Sequence, residues 1–436
     1  MPGAENQVLA LELERVEEKL AIAFEREDTF FSQIEKRPAE IVSSIAMRVP
    51  LELRPGGKPG QWTSDGGDMG SGDMPTYDKA EVNTVELIHR LQWTLRRKFA
   101  TDSNKKAIAN GYKRDIASAM KEFRRFNDSL CMGAGAGQLG TVTTVTTAGG
   151  SDTYTCTTDG FGVRLMHYGW EIDIWDPTLT IKRTGAGPGN GGSYQINYYD
   201  GPNKTISILG SPGTVQPGDI IVAQGSTFGI SNLYPGGTIT ANPPTSILGV
   251  PYHANNSSVG SWLGFNRATT PEIRANGVNA SGPFAIPMAR LAINKVGDRV
   301  GMDQMKKFQA WMHPCQKQQY EEIAQESIII NKEAKEEGVD LYFNDSMRMA
   351  GAPVKCSFSW DKTRIDMVDL DAYGRAEFYA PKWHKDENGN RYFVARGASG
   401  GLGAIEFAYI VASWQLYVNN PAAIAYIYTL TVPSGY

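Results

Sequence analysis

The feature that most limits how this chain can fold is a 25-residue stretch, residues 55–79, with seven glycines and three prolines between two alternating apolar runs. Met47, Val49, Leu51 and Leu53 alternate with other residues over Met47–Arg54, and Val85, Leu87, Leu91 and Trp93 share one face of Glu81–Trp93. A period of two places each set on one side of a strand. Connections inside compact domains are usually only a few residues long, and a structureless one of this length is generally functional or disordered. Two strands joined by such a tip describe an arm that reaches away from its own core.

Long helices are expected on both sides of the arm. Over residues 5–37, Leu9, Leu13, Val16, Leu20, Phe24, Phe30 and Ile34 recur at three- and four-residue spacing, with no proline after Pro2 until Pro38. Segment 1–37 holds nine acidic and five basic residues. Its apolar stripe needs a partner, in its own domain or in a neighbouring subunit. Residues 102–132 read as a second helix, capped by Asp102 or Ser103 and ended by Gly133, at about 1.5 Å per residue roughly 45 Å long. Its buried stripe is Ile108, Tyr112, Ile116, Met120, Phe123 and Leu130.

Beyond the second helix the texture changes. Nine of the 18 residues from Thr141 to Thr158 are threonine. Short strands follow at Trp170–Trp175, Leu179–Arg183, Tyr194–Tyr199, Thr205–Leu209 and Asp219–Ala223, broken by Gly/Pro/Asp turns. This spacing predicts a small barrel or sandwich inserted between helical regions. Helices return at Ile286–Val296 and Gln316–Glu337. Strands are expected at Asp340–Phe343, Val354–Phe358 and Arg364–Leu370, then a hairpin over Glu377–Arg396 turning at Asn388-Gly389, and strands at Ile405–Val418 and Ala425–Val432. The fold class is α+β, divided as a helical arm (1–45), an extended loop (46–95), a spine helix (96–140), a β-rich insertion (141–228) and a remainder (229–436).

Charge and cysteine usage exclude several function classes. A net charge of −4, from 43 basic and 47 acidic residues, is not that of a protein whose main task is neutralising nucleic acid. Cys131, Cys156, Cys315 and Cys356 form no C-x-x-C pair, so reduced thiols are expected rather than a disulfide framework. There is no basic segment followed by an apolar run at the N-terminus, and no stretch of about 18 apolar residues. The expectation is a soluble protein made in a cytoplasm, without membrane contact.

Motifs that carry chemistry are few. Gly135-Ala136-Gly137-Gln138-Leu139-Gly140 matches the dinucleotide pattern letter for letter, but that site needs a strand before it and a helix after it. Here the order is reversed, and a helix-to-strand hinge is the better reading. His313-Pro314-Cys315 sets a thiol near a base with no acid evidently placed, so a structural role is expected. Asp65, Asp68 and Asp73 lack EF-hand spacing. No catalytic residue, metal site or cofactor is assigned.

Around the second helix Arg96, Arg97, Lys98, Lys105, Lys106, Lys113, Arg114, Lys121, Arg124 and Arg125 stand against Asp102, Asp115 and Glu122. Three readings apply: a nucleic-acid surface, a solvated helix face, or a partner for the acidic N-terminal helix that carries Glu14, Glu17 and Glu18.

The order of elements resembles a known family. Arg48-Val49-Pro50-Leu51-Glu52-Leu53-Arg54-Pro55-Gly56-Gly57, then Asp65-Gly66-Gly67 and the return strand Ala80–Thr94, resemble the extended loop of tailed-bacteriophage major capsid proteins. The Asp102–Cys131 helix is similar to their spine helix. Gly218-Asp219-Ile220-Ile221-Val222-Ala223-Gln224-Gly225-Ser226 resembles the end of a β-barrel insertion that some members carry. The run from Leu263 to Ala275 resembles a G-x-x-R-x-T-x-P segment that often follows. Together these cover about residues 40–275.

The resemblance implies the Johnson fold, with N-terminal arm, extended loop, peripheral domain and axial domain. It implies pentamers and hexamers in an icosahedral shell around double-stranded DNA, with scaffold, portal and decoration proteins as further partners and the virion as location. Contact residues on this reading are Arg54, Lys58, Trp62, Asp65, Asp68, Lys79, Arg97, Lys106, Arg114, Arg124, Arg125, Glu14, Glu17 and Glu18. Some members join an extended-loop lysine to a neighbour's asparagine; Lys58 and Lys79 lie in the loop, but no matching asparagine or acid is identified. An encapsulin-type compartment, a β-rich hydrolase and a phage decoration or tail component are the competing readings.

Overall fold

The computed structural model describes residues 30–34, 36–38, 46–60, 71–94, 119–135, 137–148, 151–157, 166, 168–179, 181–183, 193–200, 204–209, 215–224, 246–329, 348–385, 387, 389–391, 393–396 and 402–434. The chain is α+β, built mostly from sheets.

The central sheet is organised by one strand. β21 (Leu402–Val418) is 17 residues long and reads almost continuously apolar, the pattern of a strand covered on both faces. One edge pairs with β4 (Val85–Thr94), from Ile405↔Thr94 to Trp414↔Val85. Along the other edge lie β20 (Phe393–Arg396) and then β19 (Tyr373–Trp383). The hairpin expected over Glu377–Arg396 therefore does not form. Asn388-Gly389 is a local turn signal, whereas β21 offers both flanking strands one long apolar edge to pair with.

The N-terminal expectation is also corrected where it can be seen. Residues 1–29, and with them Glu14, Glu17 and Glu18, lie outside the described residues. The helix α1 (Phe30–Gln33) stops at Gln33, short of residue 37, and β1 (Lys36–Pro38) pairs parallel with β19. Phe30 and Phe31 are wholly buried. Phe30 meets Trp311, Trp360 and Tyr373 edge-on at 5.2, 5.3 and 6.0 Å, so this part of the segment docks on its own domain.

A helix over residues 119–130, α2, packs across the central sheet with Met120, Phe123 and Leu130 buried, as their spacing predicts. Residues 95–118 lie outside the described residues, including Arg97, Lys106 and Arg114. The end of α2 holds three elements together. Asn127 accepts from Trp414 Nε1 at 2.7 Å, and Asp128 accepts from the Phe31 N–H at 3.1 Å and from Ser359 Oγ at 2.8 Å. Burial pushes the Asp128 carboxyl above its ordinary value, against the pull of these donors and of Arg124.

The β-rich unit is a closed barrel. β5 (Gln138–Ala148), β6 (Ser151–Thr157), β10 (Thr205–Leu209), β9 (Tyr194–Asp200), β7 (Glu171–Trp175) and β11 (Ile220–Ala223) pair in that order, and β11 pairs again with β5. Closure removes the open edges a small sheet would otherwise expose. Its core is Leu139, Val142, Ile172, Ile174, Tyr194, Ile196, Ile206, Ile208 and Ile221. Of the strand expected at Leu179–Arg183 only β8 (Lys182–Arg183) forms, because Leu179 sits at φ 56° in the turn held by Asp176.

The remainder is a six-stranded sheet in the order β14 (Asn276–Gly282), β22 (Ala425–Leu430), β18 (Ile365–Val368), β15 (Gln309–Met312), β17 (Ala352–Cys356) and β16 (Arg348–Met349). Two longer helices follow its strands: α4 (Ile286–Val300), after a short α3 (Val250–His253), and α5 (Pro314–Ile329). The strand expected at Asp340–Phe343 lies outside the described residues. No helix among the described residues is long and apolar enough to cross a membrane.

Candidate functional site

The arm is a two-stranded ribbon. β2 (Ala46–Arg54) and β3 (Thr76–Asn83) pair antiparallel from Ala46↔Asn83 to Arg54↔Thr76. The return strand thus starts at Thr76, and the expected loop shortens to residues 55–75. The Glu81–Trp93 run is also two strands rather than one. Ala80 and Val82 face the core from β3, the inward set switches to Val85, Leu87 and Trp93 in β4, and the change of parity falls at Thr84. One strand leaves the body and the other belongs to it.

The ribbon divides into a foot and a tip. At the foot Val49, Leu51, Ala80 and Val82 are buried with Trp262, Leu263, Ile273, Ala376 and Tyr417. Beyond Leu53 every described residue of both strands is exposed, over 54–60 and 71–79. Pairing continues outward, with the Gly57 N–H donating to the Asp73 carbonyl at 3.0 Å. The tip carries two large apolar side chains in water, Met74 at 86% and Tyr77 at 69% exposure. Lys58 and Lys79 are exposed there, as is Arg54, while Trp62, Asp65 and Asp68 lie outside the described residues.

The foot rests on a buried histidine. Strands β12 (Ser261–Trp262) and β13 (Phe265–Asn266) form a short hairpin under the arm. Trp262 Nε1–H donates to His253 Nδ1 at 3.0 Å, and His253 Nε2 contacts the Leu416 carbonyl at 3.2 Å. Because the indole can only donate, Nδ1 is bare and Nε2 carries the hydrogen. Burial lowers this imidazole to about 3, helped by the Arg267 charge and opposed by the Leu416 and Leu248 backbone. It is a neutral link between the hairpin and the central strand.

Arginines gather where the foot meets the rest of the chain. Arg54 reaches Glu272 at 3.5 Å. Arg299, on the last turn of α4, donates to the carbonyls of Arg274, Pro271 and Glu272 and to Asn276 Oδ1. Arg274 donates to the Arg267 and Ala268 carbonyls, and Arg267 to those of Tyr252 and Asn255. Main-chain oxygens thus hold these three guanidinium groups in place without cancelling their charge. Only Arg54 of this set was singled out by sequence. The others lie in the Leu263–Ala275 run and in α4, where nothing but the motif-like spacing marked them.

The remaining sequence candidates resolve as follows. Arg125 is exposed on α2, but Arg124 is only 2% exposed, because its place on the helix turns it toward the sheet. That removes it from any external contact surface. Gly135 and Gly137 take φ of 107° and 70° on the way from α2 into β5, with a helix before and a strand after. The chain returns from the barrel alongside them: Ser246 N donates to the Gly135 carbonyl at 2.6 Å, Gly249 N to Gly133 at 3.0 Å and Val250 N to Cys131 at 2.7 Å. A Cβ on Gly249 would lie 2.3 Å from the Cys131 oxygen, so the close approach requires glycine. The barrel's entrance and exit are therefore zipped together.

His313 caps α5, accepting the Cys315 N–H on Nδ1 at 3.1 Å, and burial raises the Cys315 thiol. Both features favour a structural thiol over a nucleophile. Among the described residues no group of three or more His, Cys, Asp or Glu could hold a metal ion.

No family profile matches the sequence, and no curated protein is significantly similar to it. Among solved structures, the chain is similar to one from the capsid asymmetric unit of Cyanophage A-1(L), at 12% identity and a TM-score of 0.49, over 92% of this chain and 90% of that one. It is similar to one from the capsid of Myoviridae Phage XM1, at 8% identity and 0.43, over 93% and 94%. A chain from the capsid of a native GTA particle gives 12% and 0.41, over 89% of this chain and 86% of that one. At such values the likeness is one of outline, and function has to be read from the chain's own residues.

Proposed function

We propose that this chain is the major capsid protein of a tailed bacteriophage, a structural subunit that assembles as pentamers and hexamers into an icosahedral head around double-stranded DNA. The observation that carries the reading is the arm. A ribbon anchored at its foot by Val49, Leu51, Ala80 and Val82 presents Met74 and Tyr77 to water at its far end. β2 alone has nine residues, about 30 Å at 3.3 Å per residue. Exposed apolar groups on a rigid projection are of no use to a monomer and suit contact with another copy. The sequence resemblance to the capsid family centres on the same arm.

In this reading each copy laps its arm over a neighbour, and many modest interfaces sum to a stable shell while misplaced copies can still leave. The product is a virion head assembled in the host cytoplasm, with scaffold, portal and decoration proteins as further partners. DNA contact is non-specific, and the subunit is not an enzyme. The test is excision of the tip, with residues 55–75 replaced by a short turn. The variant is expected to unfold as the parent does and to form no shells, as seen by negative-stain microscopy. Normal shells from it would overturn the role of the arm.

A further inference from the structure

The barrel buries a lysine against a carboxylate. Asp173 stands in β7 between Ile172 and Ile174, which face the barrel core, so its own side chain turns the other way. One edge of β7 pairs with β11 from Ile172 to Trp175. Along the other edge β9 pairs at Glu171 and Ile172, and β8 at Ile174 and Trp175, so Asp173 falls at the step between two neighbours. Lys182, from β8, brings Nζ to 2.8 Å from Asp173 Oδ1, and the two side chains are 3% and 1% exposed. Ser193, just ahead of β9, donates its hydroxyl to the same oxygen at 2.5 Å.

An ammonium and a carboxylate taken out of water lose solvation that their mutual attraction hardly offsets. The neighbouring Arg183–Asp219 pair, joined by two hydrogen bonds at 3.0 and 3.1 Å, has to stay ionic, because a guanidinium does not release its proton. A lysine can pass a proton to its partner, and a dry site that penalises both ions favours the neutral amine and carboxylic acid in contact. In water, condensation of these two groups is opposed by the solvation of the ions and by the excess of water itself. Burial removes both obstacles. Groups fixed in contact also gain an effective concentration of about 10⁵ M or more. Lys317–Glu321, at 3.6 Å with side chains 20% and 31% exposed, lacks the dry surroundings.

We propose that Lys182 and Asp173 condense to an amide, a covalent brace within one chain. The ammonium gives one proton to the carboxylate, which leaves a neutral amine and a carboxylic acid. The Nζ lone pair forms the new N–C bond at Asp173 Cγ. Ser193, bonded to Oδ1, fixes the carboxyl group and supplies a hydrogen bond to the oxygen that stays, on which negative charge develops. A second proton passes from nitrogen to Oδ2, the C–Oδ2 bond breaks, and Oδ2 departs as water with both protons. No oxidant or further reactant is required. The product keeps one N–H and carries no charge. It ties β8 to β7 at the step where β9 ends, and it lies in the barrel, apart from the arm lysines Lys58 and Lys79. The bond holds whether or not the chain builds a shell.

Intact mass spectrometry of the full chain, denatured after folding, reads the step directly. The folded parent is expected to be lighter than its sequence by the mass of one water. Chain recovered unfolded from inclusion bodies is expected to show the full mass and to lose the water on refolding. Trypsin is expected to leave the bond after Lys182 uncut, so that residues 165–183 appear as one peptide, again lighter by one water. Lys182→Arg keeps a positive partner for Asp173 but removes the nucleophile, and it is expected to show its full mass. Folded parent of full mass that trypsin cuts after Lys182 would overturn the bond. A loss of water that persists in Lys182→Arg would overturn it as well, assigning the loss to dehydration elsewhere in the chain. Neither outcome bears on the shell reading, which is judged by particles.

Discussion

Lowering the pH should weaken the fold through His253, and the size of the effect follows from its surroundings. Its imidazole is lowered from 6.5 to about 3, first by burial. Below pH 6.5 the unfolded chain takes up a proton that the folded chain refuses, so stability falls as pH falls, until the folded form also protonates near 3. By pH 5 the loss is about 2 kcal/mol from this one group. The structural reason is specific: a proton on Nδ1 would point at the Trp262 N–H that donates to it. Asp128 and Asp366 act in the opposite sense, since burial raises both carboxyls and the folded form takes up their protons more readily as the pH drops.

The slope of the whole chain therefore mixes signs, and a variant is needed to isolate His253. His253→Gln keeps one acceptor for Trp262 and one donor for Leu416 without titrating. Guanidinium unfolding of unassembled subunit, followed by tryptophan fluorescence at pH 7, 6 and 5, measures the difference. Relative to the parent, the glutamine variant should gain about 2 kcal/mol between pH 7 and pH 5. A difference between the two proteins that does not change with pH would refute the reasoning.

Further outcomes follow from the packing. Phe30→Ala empties an aromatic cage and should cost about 3–5 kcal/mol in denaturant unfolding, because Phe30 is wholly buried against Trp311, Trp360 and Tyr373. Gly249→Ala should cut soluble yield and lower the unfolding midpoint sharply, since its Cβ meets two backbone oxygens at 2.3 and 2.5 Å; Gly60→Ala, with nothing within 4 Å, should change neither. Replacing residues 138–245 by a short linker should leave a body that still unfolds cooperatively in calorimetry, because Gly135 and Ser246 are already hydrogen-bonded neighbours.

What could be read from the sequence was what local pattern determines. Met47 to Leu53 alternate strictly and form β2, and Thr205–Leu209, bounded by Asp200-Gly201-Pro202, forms β10 at the expected limits. The barrel followed from many short strands between turns, though its closure through β11 against both β5 and β7 is a long-range fact. Errors fell where distant partners decide. Glu377–Arg396 carries a good hairpin turn, yet both halves pair with β21. Lys36 and Arg37 fit a helical continuation ahead of Pro38 but are drawn into a strand by the edge of β19.

The arm was legible because glycine and proline content marks it directly. The arginine foot was not, because Arg274 and Arg299 are brought together by a turn and a helix end 25 residues apart. Arg124 shows the converse: one basic residue in a charged run points inward, and composition cannot say which.

The central claim is that this chain makes a closed shell from many copies of itself. Sedimentation velocity of the expressed full chain, with negative-stain microscopy of the same fractions, measures that directly. The account predicts a fast-sedimenting species of uniform size that appears in micrographs as closed particles and is lost when residues 55–75 are removed. Monomers or small oligomers alone, at every salt concentration and with a scaffold protein supplied, would contradict it.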